Sequence, residues 1–101
     1  MSMITRLFAE MVRLSTQTGT LRRAPLKGGA ELVVLVADGT ITLTIKRPEK
    51  PVGAVELVTF RRDCGVPADA EILTPPDQAT RQVGSQIPMT WYYVTYRWKQ
   101  R

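Results

Sequence analysis

The stretch ELVVLVADGTITLTIKR, residues 31–47, decides the fold, because two β-prone runs flank the dipeptide Asp38-Gly39. Asp-Gly is favoured in two-residue type I′ hairpin turns, in which both turn positions have positive φ. Placing the turn on these two residues aligns the hydrophobic patterns of the runs before and after it. The sequence therefore predicts an antiparallel hairpin with strands at 31–37 and 40–47.

Alternation along the strands gives this hairpin two unequal faces. With the turn fixed, Ala37 lies opposite Thr40 and Glu31 lies opposite Lys46, which is a favourable cross-strand charge pair. Six aliphatic side chains then share one face: Leu32, Val34, Val36, Ile41, Leu43 and Ile45. Their burial has a gross value of roughly 9–18 kcal/mol, at about 1.5–3 kcal/mol each, so this face is predicted to be the core. The opposite face is half apolar, which indicates partial cover by a loop or a partner, and it holds Val33, Leu35, Thr42 and Thr44.

An amphipathic helix is predicted over residues 3–15. Its apolar side chains recur at three- and four-residue spacing, at Ile4, Leu7, Phe8, Met11 and Leu14, and its charged side chains lie opposite, at Arg6, Glu10 and Arg13. Ser2 or Thr5 could cap its start, and Gly19 follows its expected end. We expect this helix to cover the core face of the hairpin.

The rest of the chain is less regular. Residues 16–30 hold three glycines and one proline among basic residues and predict a basic loop. Residues 54–62, AVELVTFRR, predict a third strand. The aromatic-rich residues 90–99 predict a last strand. Between them, residues 63–89 predict one long loop, which is either functional or contains a short turn of helix near 68–73.

These elements predict an α+β fold in a single domain, residues 1–101: an N-terminal helix on a mainly antiparallel sheet of about four strands. A chain of 101 residues rarely contains two cores, and its 44% hydrophobic and 23% charged residues are typical of globular proteins. The longest apolar runs are far shorter than a membrane span, and residues 1–14 are interrupted by charges. We therefore expect no membrane segment, no signal peptide and a cytoplasmic location.

Composition also argues against most catalytic chemistry. The chain has no histidine and one cysteine, so a catalytic histidine, a Cys/His metal cluster and an intramolecular disulfide are all excluded. Cys64 lies next to Asp63, which opposes thiolate formation, and a structural role is predicted. We considered general acids, cation ligands or an acidic lip for four carboxylates: Asp63, Asp69, Glu71 and Asp77. Their spacing matches no calcium loop, so we predict no catalytic residues, no metal and no cofactor.

The net charge of +5 comes from the two ends of the chain. Residues 1–30 contain five bases and one acid, and residues 90–101 contain three bases, whereas the middle of the chain has an acidic excess. Such a surplus indicates an anionic partner, although it also serves solubility.

The last strand combines aromatic and basic side chains. One set, Tyr92, Val94, Tyr96 and Trp98, is expected to complete the core. The other set includes Trp91, Tyr93, Arg97 and Lys99. These side chains form either the edge of the sheet or a stacking platform, flanked by basic residues, for single-stranded nucleic acid. Arg61 and Arg62 would join this patch if the third strand neighboured the last one. They could equally be solvated edge residues that discourage aggregation. The loop residues Arg22, Arg23 and Lys27 are expected either to contact phosphate or to serve solubility.

The favoured function is therefore a small non-catalytic binding module for single-stranded nucleic acid or another polyanion. Its predicted binding residues are Trp91, Tyr93, Arg97, Lys99, Arg61 and Arg62. The alternative is a protein-interaction or homodimerising module that uses the half-apolar face of the hairpin or the long acidic loop.

Overall fold

The computed structural model describes residues 2–74, 79–82 and 89–100, and it has the predicted α+β class. The helices are α1 (Met3–Thr18) and α2 (Ala54–Asp63), with a short 3-10 helix at Lys27–Gly29. The strands are β1 (Arg22–Pro25), β2 (Glu31–Ala37), β3 (Thr40–Pro48), β4 (Glu71–Thr74), β5 (Ala79–Gln82) and β6 (Met89–Lys99). All described strand pairs are antiparallel, in the order β1-β2-β3-β6-β4, and β5 pairs with β6 on the same edge as β4. The sheet is thus five strands wide rather than about four.

The β2–β3 hairpin has the predicted turn and register. Asp38 and Gly39 have φ values of 52° and 70°, as a type I′ turn requires. Ala37 pairs with Thr40, and the ladder continues to Glu31 opposite Lys46. The strand pattern and the turn chemistry therefore determined every pair of this hairpin.

The predicted core face of the hairpin is buried. Its six aliphatic side chains are at most 6% exposed, and β6 adds Val94 and Tyr96 at 1% and 3%. Helix α1 covers this face: Met11 is buried in the same cluster, and Leu7 is half-buried against it. The prediction that the N-terminal helix packs on the hairpin is confirmed.

Helix α1 is capped at both ends. The Ser2 hydroxyl oxygen accepts a hydrogen bond from the Thr5 backbone N–H at 3.0 Å, and Gly19 ends the helix with φ of 67°. The helix runs three residues past the predicted end at residue 15. Ser15 is consequently inside the helix and fully buried. Its hydroxyl donates to the Thr20 carbonyl and accepts from the Val36 backbone N–H, both at 2.8 Å.

The predicted strand at 54–62 is wrong, because this segment forms helix α2. Its β-branched and aromatic residues suggested a strand, but such propensities are weak and tertiary contacts override them. Glu56 in the first turn and Arg61 and Arg62 in the last turn complement the helix dipole. Leu57 and Phe60, three residues apart, both pack against the core.

Two predicted loops also contain strands. Strand β1 lies in the predicted basic loop 16–30 and pairs with the edge of β2. Strands β4 and β5 lie in the predicted loop 63–89, and they satisfy backbone groups of β6 that β3 leaves unpaired. Near 68–73 the chain makes a single hydrogen-bonded turn, with the Ala70 N–H donating to the Pro67 carbonyl at 3.1 Å, and not a turn of helix, since β4 begins at Glu71. The parts of this loop at 75–78 and 83–88 lie outside the described residues.

Candidate functional site

One face of the sheet is free of helices in the described part of the chain, and we call it the open face. Both helices lie on the other face: α1 packs on β2, and α2 reaches β3 through an ion pair between Glu56 and Arg47. The strand register assigns to the open face the odd residues of β2, the even residues of β3 and the odd residues of β6. Four predicted binding residues therefore share it: Trp91, Tyr93, Arg97 and Lys99.

A shallow trough of about 300 Å³ lies on the open face. Its lining consists of Leu21, Arg23, Val33, Thr44, Lys46, Tyr93 and Thr95. Val33 and Thr95 are 8% and 9% exposed, so they form a floor, while Arg23 at the rim is exposed. The hydroxyls of Thr44 and Thr95 are 3.0 Å apart and hydrogen-bonded across the strands. The trough therefore combines an apolar and hydroxyl floor with cationic side chains.

Trp91 lies beside a lysine of the neighbouring strand. The Lys46 ammonium is 5.2 Å from the centroid of the Trp91 ring, within the range of a cation–π contact. The indole Nε1 of Trp91 is buried and has no hydrogen-bond partner among the described residues. One face of this ring is thus already occupied by Lys46. Tyr93, which lines the trough, is the aromatic side chain better placed to meet a ligand ring.

Two arginines of the open face are held in exposed ion pairs. Arg97 Nη2 lies 2.8 Å from a carboxylate oxygen of Glu71, and Arg23 Nη1 lies 3.2 Å from one of Glu31. Exposed pairs of this kind contribute only about 0–1 kcal/mol, so a stronger anion could displace either carboxylate. Lys99, also on this face, has no ion-pair partner among the described residues.

Arg61 and Arg62 do not join this surface. Both are on α2, on the helix side of the sheet, so the predicted route to one patch through neighbouring strands is wrong. The Arg61 guanidinium lies 5.6 Å from the ring centroid of Tyr96, which faces the core. Burial raises the pKa of Tyr96, and the nearby Arg61 opposes part of that rise. Arg62 is exposed and contacts the Asp63 carboxylate at 3.4 Å.

Cys64 is buried at the end of α2. Burial, with a smaller contribution from the charge of Asp63, raises the pKa of its thiol to about 12. A thiol with this pKa is protonated and unreactive at neutral pH.

The four acidic residues considered from the sequence do not form a shared site in the described residues. Glu71 is paired with Arg97 and Asp63 with Arg62, whereas Asp77 lies outside the described residues. No group of three or more potential metal ligands occurs within residues 2–74, 79–82 and 89–100.

Sequence reasoning missed part of the trough. Thr44 and Lys46 lie next to β6 because β6 pairs with β3. The sequence does not indicate which strands lie beside the hairpin. Leu21 and Arg23 reach the trough because β1 extends the sheet on the other side of β2. The half-apolar face of the hairpin was the one sequence feature that pointed to this surface, because it indicated partial cover by a loop or a partner.

By its architecture the protein belongs to the class of small α+β domains that place their helices on one face of an antiparallel sheet and leave the other face open. A scan of protein-family models and searches of curated proteins and of solved structures found no match to this chain. Within the described ranges, no helix is long and apolar enough to cross a membrane.

Proposed function

We propose that this protein is a non-catalytic module that binds single-stranded nucleic acid on the open face of its sheet. The observation that carries the proposal is the alternation of β6, which puts Trp91, Tyr93, Arg97 and Lys99 on the face away from both helices. A sheet face that combines aromatic and basic side chains is a common solution for single-stranded ligands, because every base has a π-face and every nucleotide has a phosphate.

The trough suggests how one nucleotide would sit. A base stacks on Tyr93, and the hydroxyls of Thr44 and Thr95 offer hydrogen bonds to its edge. Lys46 and Arg23, at the same trough, are then placed to contact the adjacent phosphates.

The remaining cations extend this track along β6. Arg97 and Lys99 continue it from Tyr93, and the part of the strand from Trp91 to Lys99 spans about 26 Å at roughly 3.3 Å per residue. Four cations would then contact phosphates: Arg23, Lys46, Arg97 and Lys99. Arg61 and Arg62 would not contribute, because they lie on α2, on the other side of the sheet.

Fluorescence anisotropy with a labelled single-stranded oligonucleotide tests the proposal. Four phosphate contacts predict that the logarithm of affinity falls with the logarithm of salt at a slope of about −2.8, from about −0.7 per contact. Arg97→Gln should flatten this slope by one contact. Arg62→Gln is the matched control, since it removes an exposed arginine from the helix side and should leave binding unchanged.

A second substitution separates stacking from charge. Tyr93→Ala should cost about 1–3 kcal/mol of binding free energy at every salt concentration, because screening does not affect stacking. Circular dichroism melts must show that all three variants, Arg97→Gln, Arg62→Gln and Tyr93→Ala, remain folded. Absence of binding at tens of micromolar protein and about 50 mM salt refutes the proposal, since sites of this kind have dissociation constants of about 10⁻⁴–10⁻⁶ M even at physiological salt.

The second candidate function, a protein-interaction or homodimerising module, is favoured by exposed apolar side chains. Val55 and Val58 on α2 are 81% and 66% exposed, and Ile72 on the edge strand β4 is 55% exposed. Light scattering distinguishes the two functions. A concentration-dependent dimer that oligonucleotide does not affect, and that Val58→Asp dissociates, supports this candidate.

A further inference from the structure

A separate cavity of about 320 Å³ lies on the helix side of the sheet, opposite the open face. It is formed where the start of α1, the 3-10 helix and α2 meet β3. Its apolar lining is Met3, Ile4, Leu26, Ala30, Ile45, Val52 and Phe60. A dry apolar cavity of about 150 Å³ is enough to bind benzene, so this volume accommodates a larger apolar group.

The charged residues that line this cavity carry a net positive charge. They are Lys27, Arg47 and Glu56. Lys27 is exposed and has no hydrogen-bond or ion-pair partner among the described residues. Arg47 uses one nitrogen, Nη1, for both carboxylate oxygens of Glu56, at 2.5 and 2.7 Å. Its Nε and Nη2 groups have no hydrogen-bond partner among the described residues, so these donors are free to bind an anion.

We propose that this cavity binds a small amphipathic anion, specifically a monocarboxylate with an aliphatic body. The aliphatic body would be buried among Ile4, Val52 and Phe60, and the carboxylate would lie between Lys27 and the free donors of Arg47. An amine of the same shape is disfavoured by the net positive charge. A neutral alcohol gains only the apolar contacts. The site lies on the opposite side of the sheet from the open face, and it does not depend on nucleic-acid binding.

Three eight-carbon ligands test this proposal on the full chain: octanoate, octanol and octylamine. We expect heteronuclear NMR titrations up to about 1 mM ligand to shift the methyl signals of Ile4 and Val52 with octanoate. Octanol should bind more weakly than octanoate, and octylamine should bind more weakly still. Lack of any shift with octanoate, or equal affinity for octanoate and octanol, overturns the proposal.

Three substitutions test the role of charge. Lys27→Gln should weaken octanoate binding by roughly fivefold, the effect of losing one exposed ion pair of up to about 1 kcal/mol, and should leave octanol unchanged. Glu56→Gln should tighten octanoate binding, because it removes the carboxylate that competes for Arg47. Lys50→Gln is the matched control, since Lys50 is exposed nearby and does not line the cavity. Identical effects of Lys27→Gln and Lys50→Gln would show that only general electrostatics acts, which also overturns the proposal.

Discussion

Ser15 provides the sharpest test of how this fold is held together. Its hydroxyl is fully buried and bridges α1 to the end of β2, where the Val36 backbone N–H points away from β3. Strand β1 begins to pair with β2 only at Val34, so Val36 has no partner strand on that side. The serine side chain therefore takes the place of a strand at this position.

Ser15→Ala should destabilise the protein by about 2–4 kcal/mol. The buried Val36 N–H loses its acceptor, which costs about 1–3 kcal/mol. The second hydrogen bond lost is the one from the Ser15 hydroxyl to the Thr20 carbonyl, worth about 0.5–1.5 kcal/mol. Water can replace this bond because Thr20 is exposed. Removal of one oxygen leaves little new space, so the loss of hydrogen bonds dominates.

Urea unfolding followed by circular dichroism measures this difference. Thr16→Ala is the matched control, because its hydroxyl donates to the Val12 carbonyl within α1 at 2.7 Å and is exposed. We expect the control to lie within about 0.5 kcal/mol of the wild type, as surface substitutions usually do. If Ser15→Ala unfolds at the same urea concentration as Thr16→Ala, the bridge does not stabilise the fold.

Two further predictions concern the turn and the thiol. Gly39→Val should lower the free energy of unfolding by about 1–3 kcal/mol, since φ of 70° strains a β-branched residue, whereas Asp38→Gly should be tolerated. Equal melting temperatures for the two variants would contradict the turn assignment. Cys64 should make the free energy of unfolding fall at high pH, because its pKa is about 12 in the folded protein and near 9 in the unfolded chain. The buried thiol contributes its full stability below pH 9. Between pH 9 and 12 the unfolded chain ionises first, and the free energy of unfolding falls by up to about 1.4 kcal/mol per pH unit. Unfolding free energies at pH 8 and pH 10 should therefore differ more for the wild type than for Cys64→Ala, and parallel curves would contradict burial of the thiol.

The hairpin was predictable because its determinants are local. The dipeptide Asp38-Gly39 fixes the turn, and a period of two fixes which side chains share a face, so one assignment specifies all seven pairs. Helix α1 was predictable for the same reason, from its apolar period and its capping residues. Its end was misplaced because Ser15 and Thr16 are polar, and burial of a polar side chain depends on a partner distant in sequence, here Val36.

Helix α2 was only weakly indicated by its own residues, through the three-residue spacing of Leu57 and Phe60 and the charges at its two ends. Val55 and Val58 favour a strand, and both are exposed, so they contribute no apolar period that would reveal a helix. The helix is also supported by distant contacts: Leu57 and Phe60 pack against the core, and smaller contributions come from the pairing of Glu56 with Arg47 on β3 and the contact of Arg61 with Tyr96 on β6. Such contacts have no signature in the local sequence.

Some residues of the candidate site are placed by the local sequence, and others are placed by contacts between distant segments. Alternation along β6 depends only on strand period, and it assigned Trp91, Tyr93, Arg97 and Lys99 to one face. The rest of the surface depends on strand order, which the sequence does not specify, and the segment at 54–62 that would have brought in Arg61 and Arg62 forms a helix instead of a strand beside β6. Replacing that neighbour by β3 removes Arg61 and Arg62 from the surface and brings in two residues of the hairpin, Thr44 and Lys46. The surface remains cationic because Lys46 of the hairpin lies on the same face as Arg97 and Lys99 of β6. A ligand that binds here must therefore suit hydroxyl, apolar and cationic groups together, which a nucleotide does better than a simple anion.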